Sequence, residues 1–241
     1  MPNRIIQRRR GKGTLRFKSP GHRFISAVST RKYDDIEKTG VITGVVKELY
    51  NDVGKNAPMM LILYDNKDVV TYPAPIGIIE GSIVESGANA KVAPGNVLPL
   101  SKIPDGTIIY CIEKFPGSGP LFIRTSGSSA KLLSHDAKGI IVELPSKHTK
   151  IFINDCRAII GKIAGGGRKE KPFVKAANKR YAKEARNKKH PRVKGTCMNP
   201  GLHPHGGGQR RRSKNYTVSR NAPPGAKVGS IAPKRTGRRR G

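Results

Sequence analysis

The feature that most constrains this chain is where its charge lies. Residues 1–32 carry ten Lys and Arg and no Asp or Glu, and residues 162–241 carry 24 basic and two acidic residues. Residues 33–161 carry 13 basic and 14 acidic residues, which is the balance of an ordinary soluble domain. The formal charge of +31 therefore comes from the two ends. Such ends do not collapse by themselves, whereas a near-neutral middle of this length can build one core or two small ones.

A chain this basic is expected to bind a polyanion. It has no run of 18 apolar residues, and Arg8, Arg9, Arg10 and Lys12 follow Ile5 and Ile6 without an apolar signal region. We therefore expect a soluble, non-secreted, cytoplasmic protein with no membrane partner. Cys111, Cys156 and Cys197 are widely spaced and form no CxxC pair, which fits a reducing compartment and no disulfide framework.

The middle region reads as short β-rich runs separated by Gly and Pro. The runs are Val41–Val46, Met60–Tyr64, Ile108–Ile112, Gly139–Glu143, Ile151–Ile153 and Ile159–Ile163. No convincing helix lies between them, so an all-β fold is favoured over a parallel α/β sheet. The segment Gly87–Pro94 is interpreted as a joint between two small barrels, with bounds 33–88 and 89–163.

Beyond Ile163, three glycines in the segment 164–172 favour a flexible exit from the core and allow close approach to a partner. Apolar residues then recur at i+4 spacing, at Phe173, Ala177, Tyr181 and Ala185, among many cations, which predicts a helix near 173–189. From Pro191 onward the chain is Gly-, Pro- and Arg-rich, a composition that in isolation is typical of disorder.

The N-terminal extension, 1–32, mixes cations with glycines from Arg4 to Arg23. Lys and Arg neutralise phosphates, and Gly allows the backbone to come close to them. Basic runs also serve as localisation signals. The presence of a second basic extension, 164–241, favours the nucleic-acid interpretation.

The most specific motif is Asn199-Pro-Gly-Leu-His-Pro-His-Gly-Gly-Gly208. A segment with so few side chains can thread a groove in RNA, with imidazole edges free to stack or to bind bases. His203 and His205 could instead ligate zinc together with Cys197, although the spacing matches no established zinc pattern. His203 could also act as a general base, but no carboxylate stands near it in sequence.

Two other classes of function compete with RNA binding. A hydrolase or transferase would use His203, His205 and Cys197 around a metal, yet the sequence has no GxSxG motif, Walker phosphate loop or recognisable carboxylate pair. A chromatin-like protein would bind duplex DNA by charge alone. Such a protein needs neither a near-neutral β core nor the His203–Gly208 motif.

Several motifs together resemble one known family. They are Gly165-Gly-Gly-Arg-Lys-Glu-Lys-Pro-Phe-Val-Lys-Ala176, Met198-Asn-Pro200, His203-Pro-His-Gly-Gly-Gly208 and Arg220-Asn-Ala-Pro-Pro-Gly-Ala-Lys-Val-Gly229. Gly95–Leu100, Ser134–Asp136, Cys156–Ala158 and Arg9–Gly13 extend the match over almost the whole chain. The chain resembles universal ribosomal large-subunit protein two, in the form typical of the archaeal and eukaryotic branch.

The resemblance implies an oligonucleotide-binding-type barrel followed by an SH3-like barrel, with both extensions running into large-subunit rRNA. It further implies a non-enzymatic protein that helps organise the peptidyl-transferase region and supports subunit association and tRNA binding. The implied partners are rRNA, neighbouring ribosomal proteins and the small subunit across an intersubunit bridge, without homo-oligomerisation. No cofactor or protein-held metal is implied, and the only metal allowed for is structural Mg²⁺ bound through rRNA.

The resemblance and the basic motifs together give a set of candidate RNA-binding residues. The set is Arg8, Arg9, Arg10, Lys12, Arg16, Gly165, Gly166, Gly167, Arg168, Lys169, Lys171, Lys175, Arg192, Asn199, His203, His205, Gly206, Gly207, Gly208, Arg220, Lys227 and Arg235. The family usually carries an acidic residue immediately before the first motif histidine, where this chain has Leu202. An acid–histidine pair therefore cannot form there, which favours packing or RNA contact for His203 over chemistry.

Overall fold

The computed structural model of the chain describes residues 5–208 and 216–236. The chain divides into two compact units. Gly21–Pro172 forms one of them, which we call the sheet unit, and Met1–Pro20 together with Phe173–Gly241 forms the other, which we call the extension unit. The described α-helices are α1 Ile6–Gly11, α2 Asp35–Thr39 and α3 Ala176–Glu184.

The sheet unit is built almost entirely from short strands. They are β1 Ile42–Asn51, β2 Pro58–Tyr64, β3 Val69–Pro73, β4 Ile83–Ser86, β5 Val97–Pro99, β6 Ile108–Tyr110, β7 Ile112–Glu113, β8 Pro120–Phe122, β9 Ala130–Asp136, β10 Gly139–Glu143, β11 Thr149–Phe152 and β12 Arg157–Ile160. Since α2 is its one α-helix, the prediction of an all-β core is confirmed.

Ten of these strands form one sheet, in the order β11-β10-β9-β6-β12-β5-β4-β1-β2-β3, while β7 pairs with β8 separately. Most neighbours are antiparallel, but β4 and β5 are parallel and meet at Ser86 and Val97. This pair connects a half made of β1–β4 with a half made of β5, β6 and β9–β12. Within the sheet unit the strand order is open, with β3 and β11 at its ends and no closed barrel.

The sequence of the first strands explains their pairing. In β1 buried Ile42, Gly44 and Val46 alternate with exposed or half-buried residues, as in a strand with one covered face. Gly44 has no room for a side chain, because a Cβ there would lie 2.7 Å from Cδ1 of Tyr64 on the paired strand β2. The pairing register of β1 with β2 shifts between Val46 and Glu48, which marks a bulge.

Two hydrophobic clusters fill the sheet unit. The first contains apolar residues of β1–β4 and their flanking loops, together with Val97, Tyr110, Cys111, Ile159 and Ile163. The second contains apolar residues of β5, β6, β9, β10 and β12, together with Leu100, Ile103, Ile112, Phe152 and Cys156. Strands β5, β6 and β12 each place residues in both clusters, so the two cores share these three strands.

Three buried tyrosines place phenol groups inside the first cluster. Tyr72 donates its hydroxyl to the Gly95 carbonyl oxygen at 2.9 Å, and Tyr110 donates to that of Pro73 at 3.0 Å. Burial raises the pKa of Tyr64 to about 12 and raises the pKa values of Tyr72 and Tyr110 well above the ordinary value. These phenols are therefore neutral at physiological pH.

A buried ionic network lies where α2 meets the strands. Its four members are Arg31, Glu37, Glu113 and Arg157, whose side chains are each at most 2% exposed. Arg157 Nη2 lies 2.8 Å from Glu113 Oε1, and Arg157 Nη1 donates to the Arg31 carbonyl oxygen at 2.8 Å. The two guanidinium groups balance the two carboxylates, which is the condition for burying such charges.

Glu37 connects this network to α2 and to β4. Its Oε1 lies 3.4 Å from Arg31 Nη1 and accepts from the Ser86 hydroxyl at 2.7 Å. The helix begins after Asp34, whose carboxylate accepts from the Glu37 N–H at 3.1 Å and pairs with Arg31. The hydrogen bond from Arg31 holds the pKa of Asp34 below its ordinary value.

The extension unit has a different construction. Besides α1 and α3 it contains a parallel pair of two-residue strands, β13 Thr217–Val218 and β14 Ser230–Ile231. Among its residues with described exposure, the buried ones are Pro20, Gly206 and Val228. The predicted helix near 173–189 corresponds to α3. Within the described part of the chain, no helix is long and apolar enough to cross a membrane.

Candidate nucleic-acid interface

The candidate RNA-binding residues fall into two groups. Gly165, Gly166, Gly167, Arg168, Lys169 and Lys171 lie at the end of the sheet unit, and the others lie in the extension unit. The charge divides unevenly between the units, with 20 basic and 15 acidic residues in the sheet unit against 27 and one in the extension unit. All the candidate Arg and Lys residues except half-buried Arg10 are exposed.

The N-terminal cations are arranged around α1, which carries Arg8, Arg9 and Arg10; Lys12 follows it and Arg16 lies in the next turn. Arg8 donates to the Pro224 carbonyl oxygen at 2.8 Å. A Cβ on Gly225 would lie 2.9 Å from Arg8 Nε, so glycine leaves room for the guanidinium. The N-terminal helix is thus attached to the last part of the chain.

A second contact joins the two extensions just after α3. Asn187 donates from its amide to the carbonyl oxygens of Lys18, at 2.9 Å, and of Leu15, at 3.3 Å. Lys175 stands at the N-cap of α3, and Tyr181 on the helix is 67% exposed. The apolar stripe that predicted this helix is therefore open to solvent in the described structure.

The His203–Gly208 motif packs against its own chain. The rings of His203 and His205 meet edge to face at 5.1 Å, and His205 meets Tyr216 in the same way at 4.9 Å. The backbone N–H of His205 donates to Nδ1 of His203 at 3.0 Å. Burial, together with the neighbouring His205, lowers the pKa of His203, so the neutral ring is favoured.

The glycines of the motif allow this close packing. A Cβ on Gly206 would lie 2.4 Å from the Asn199 carbonyl oxygen, and one on Gly207 would lie 2.3 Å from Cγ of Pro200. Gly195 carries the same constraint, since its Cβ would lie 2.3 Å from the His203 ring. These glycines therefore allow nearby segments of the same chain, 195–200 and 203–207, to pack closely together. Gly201 differs, because nothing lies within 4 Å of a Cβ at that position.

The metal and general-base interpretations gain no geometric support. Among the described residues, no group of three or more His, Cys, Asp or Glu side chains is arranged to hold a metal ion. Cys197 is exposed, and its sulfur lies 3.9 Å from the hydroxyl of Thr196. Leu202, in the position of the usual family acid, is 43% exposed.

Three further C-terminal candidates lie around the small parallel strand pair, whereas Arg192 lies between α3 and the His203–Gly208 motif. Arg220 follows β13 and Lys227 precedes β14. Arg235 lines a concave surface of about 420 Å³ together with Thr217, Val218, Ser219, Pro233 and Thr236. All three cations are exposed, as a phosphate-binding role requires.

The glycine segment of the sheet unit forms one wall of a groove that sequence reasoning missed. We call it the glycine groove, and it is lined by residues 121–128, 144–146 and 166–170. Gly127 donates its N–H to the carbonyl oxygens of Ile163, at 3.1 Å, and Ala164, at 3.2 Å. A Cβ on Gly127 would lie 2.5 Å from Cα of Gly166, so the two backbones touch.

One signal in the sequence could have indicated the wall of this groove formed by residues 121–128. Arg124-Thr-Ser-Gly-Ser128 combines a cation, hydroxyl groups and a glycine, and cations and glycines also make up most of Gly165–Lys171. Gly127 adopts a φ of +71°, and Gly165 a φ of +73°, a region that side-chain-bearing residues rarely adopt. Their juxtaposition depends on tertiary structure, since 38 positions separate them in sequence.

Comparisons with known proteins identify the family. The family described as "Ribosomal Proteins L2, C-terminal domain" matches residues 93–227. "Large ribosomal subunit protein uL2" of Methanosphaera stadtmanae is 46% identical and that of Methanothermobacter thermautotrophicus is 47% identical, each over 100% of both chains. The protein of the same name from Natronomonas pharaonis is 44% identical over 99% of this chain and 97% of its own. This chain therefore belongs to the uL2 family of large ribosomal subunit proteins.

Proposed function

We propose that this protein is a structural component of the large ribosomal subunit that binds large-subunit rRNA through its two extensions. The observation that carries the proposal is the extension unit, where 27 cations accompany a single acidic residue. Nearly all of the described cations there are exposed, so phosphate can reach them. Counterion release from rRNA then supplies the binding free energy.

The sheet unit serves as the scaffold from which the extensions depart. We propose that 33–88 forms an oligonucleotide-binding-type barrel and 89–163 an SH3-like barrel, as the family resemblance implies. The two hydrophobic clusters support this division, because the first is built mainly from β1–β4 and the second mainly from later strands. Strands β5, β6 and β12 belong to the second barrel and contribute to both clusters, so they would then form its contact with the first barrel.

We propose further partners for this chain by analogy with its family. They are neighbouring ribosomal proteins, the small subunit across an intersubunit bridge, and the peptidyl-transferase region with bound tRNA. In this role the protein supplies scaffold and charge and no catalytic group, and the Mg²⁺ ions nearby are held by rRNA. We propose a single copy in a cytoplasmic ribosome.

The experiment measures the affinity of the full chain for large-subunit rRNA and for duplex DNA across a salt series. One variant replaces five cations on and after α3 with Gln, namely Lys179, Arg180, Lys183, Lys188 and Lys189. Removal of each phosphate contact lowers the slope of log affinity against log salt by about 0.7–0.9. The full set is therefore expected to reduce that slope by up to about 4.

The matched control removes five exposed cations from the sheet unit, namely Lys47, Lys91, Lys102, Lys114 and Lys138. We expect this control to change the slope much less than the α3 variant. Equal affinity of the wild-type chain for rRNA and duplex DNA at every salt concentration would replace the proposal with a general polyanion binder. Equal effects of the two variants would exclude the extension unit as the principal contact.

A further inference from the structure

The glycine groove combines features that charge alone does not explain. It encloses about 740 Å³, within the range of about 300–1,000 Å³ that is typical of small-ligand sites. Its three lining segments come from the end of β8 with the loop after it, the turn between β10 and β11, and the chain at the end of the sheet unit. A surface made only to attract phosphate would not need such a concave shape.

One part of the lining suits a phosphate. Arg124, Arg168 and Lys169 are exposed at the groove, and Glu170 is its one acidic residue. Hydroxyl groups of Thr125, Ser126, Ser128 and Ser146 lie in the same lining. Cationic side chains, hydroxyls and backbone N–H groups are the donors that most often bind phosphate oxygens in nucleic-acid complexes.

Another part of the lining suits a base. Leu121 lines the groove and is 49% exposed, so its apolar side chain is open to a ligand. Phe122, Leu144 and Pro145 are further apolar residues of the lining. The Phe122 ring is braced edge to face against Phe152 at 5.3 Å, and Lys150 Nζ lies 4.0 Å from its centroid. Apolar and aromatic surface beside cations is the usual platform for an unstacked base.

The groove is also held in one shape. The backbone contact of Gly127 with Gly166 joins the first wall to the third, and two hydrogen bonds from Gly127 hold the same loop to Ile163 and Ala164 just before that wall. Arg168 Nε lies 3.5 Å from the Ser126 hydroxyl across the same gap. A preformed site loses less conformational entropy when it binds than a flexible tail does.

We infer that the glycine groove binds an unpaired nucleotide of RNA, with its phosphate at Arg124 and Arg168 and its base against Leu121 and Phe122. A base inside a helix is stacked on both faces, so only an unpaired nucleotide can reach this apolar floor. The inference rests on the proposed function and deepens it, because it assigns single-stranded RNA to one place on the sheet unit.

Photo-crosslinking of the full chain tests the inference. The probe is a hexamer of uridines that carries one 4-thiouridine, and the crosslinked peptides are mapped. We expect crosslinks within residues 121–128, 144–146 and 166–170. An unlabelled uridine hexamer should compete for these crosslinks about tenfold better than an abasic hexamer of equal charge, since stacking of a base accounts for the difference. Crosslinks in the extension unit, which depend on charge, should be displaced equally by both competitors.

Matched variants separate the base contact from the phosphate contact. Leu121→Gln should abolish the preference for the uridine competitor, whereas Leu133→Gln, at an exposed leucine outside the groove, should retain it. Arg124→Gln should lower the salt slope of groove crosslinking by about 0.7, the value for one single-strand phosphate contact. Lys47→Gln removes one exposed charge from β1, outside the groove, and should leave that slope unchanged.

Two results would overturn the inference. Crosslinks that follow charge alone, without enrichment in the groove segments, would show that the groove is not a nucleotide site. Equal competition by the uridine and abasic hexamers at the groove would exclude base recognition. Neither result affects the proposed function, which fails separately if the wild-type chain does not prefer large-subunit rRNA over duplex DNA.

Discussion

The sheet unit and the extension unit use charge in opposite ways. In the sheet unit, Arg31 and Arg157 are buried and paired with Glu37 and Glu113, so these charges hold the fold together. In the extension unit nearly all of the described cations are exposed and the unit has one acidic residue, so most of these charges face solvent. The placement of an arginine, more than its presence, therefore decides whether its charge stabilises the fold or stays open to solvent and to a partner.

The largest effect is expected from Arg157→Met, which tests whether the buried charges of the sheet unit stabilise the fold. Removing one partner of a buried ion pair leaves the other charge uncompensated, so we expect the free energy of unfolding to fall by about 3–5 kcal/mol. Urea unfolding of the full chain, followed by circular dichroism, measures it. Arg23→Met, at an exposed arginine of the same unit, is the control and should change stability little. An equal fall in the free energy of unfolding in both variants would show that the buried network does not stabilise the fold more than an exposed arginine does.

High pH tests the sheet unit through its buried phenols. The pKa of Tyr64 is about 12 in the folded chain, against 10.0 for a free phenol, because burial disfavours the anion. The pKa is higher in the folded chain, so the contribution of neutral Tyr64 to the free energy of unfolding is complete below pH 10. That contribution is lost as the pH rises toward 12. The difference corresponds to about 3 kcal/mol.

Tyrosine absorbance measures ionisation of the phenols, and the urea midpoint measures stability, across that pH range. Tyr64→Phe should make stability less dependent on pH, because one raised pKa is removed. Ionisation of all seven tyrosines near pH 10 without unfolding would contradict the burial of Tyr64, Tyr72 and Tyr110.

A smaller effect is expected in the extension unit from Gly195→Ala. The new methyl group would overlap the His203 ring, so the motif must shift, at an expected cost of about 1–3 kcal/mol. Hydrogen exchange of residues 195–208 should rise, and rRNA affinity should fall. Gly201→Ala is the control, because nothing lies within 4 Å of a Cβ at that position. Identical exchange in the two variants would mean that the packing around His203 does not order the motif.

The smallest effect is expected on acidification. Burial and the neighbouring His205 lower the pKa of His203 in the folded chain. The unfolded chain therefore binds its proton more readily, so the local stability present above about pH 6.5 is lost as the pH falls. NMR titration of the His203 ring gives its pKa directly, and a value above that of a free imidazole would contradict the packing. His203→Gln should remove the local dependence on pH.

Sequence reasoning reached the all-β core but missed several of its strands. Continuous apolar runs such as β2 and β10 are recognisable in the sequence, and β10 has the predicted bounds. Strands β3–β5, β8 and β9 are not, because they are short or contain Pro and charged residues. The predicted run Ile108–Ile112 proved to be β6 and β7, separated at Cys111, which has a φ of +51°. No periodicity reveals that break.

The candidate site was predicted in part. Composition identified the basic extensions and the glycine segment, because charge and glycine content are local properties of the sequence. Contacts of Arg8 with Pro224 and of Asn187 with Lys18 could not be predicted, since they depend on tertiary structure. The same holds for the glycine groove, whose wall around Arg124 looked like an ordinary loop.

The bond from Arg157 to the Arg31 carbonyl has a consequence for the order of folding during synthesis. It closes a loop of 126 residues, so the first thirty residues leave the ribosome long before their anchor exists. Until Arg157 emerges, Arg31 and Glu37 can pair with each other and with Asp34, Asp68 and Ser86, but their contacts with Arg157 are missing and the sheet lacks β12. The nascent core should therefore close late and nearly at once, leaving the basic N-terminal extension exposed to any nearby polyanion throughout its translation.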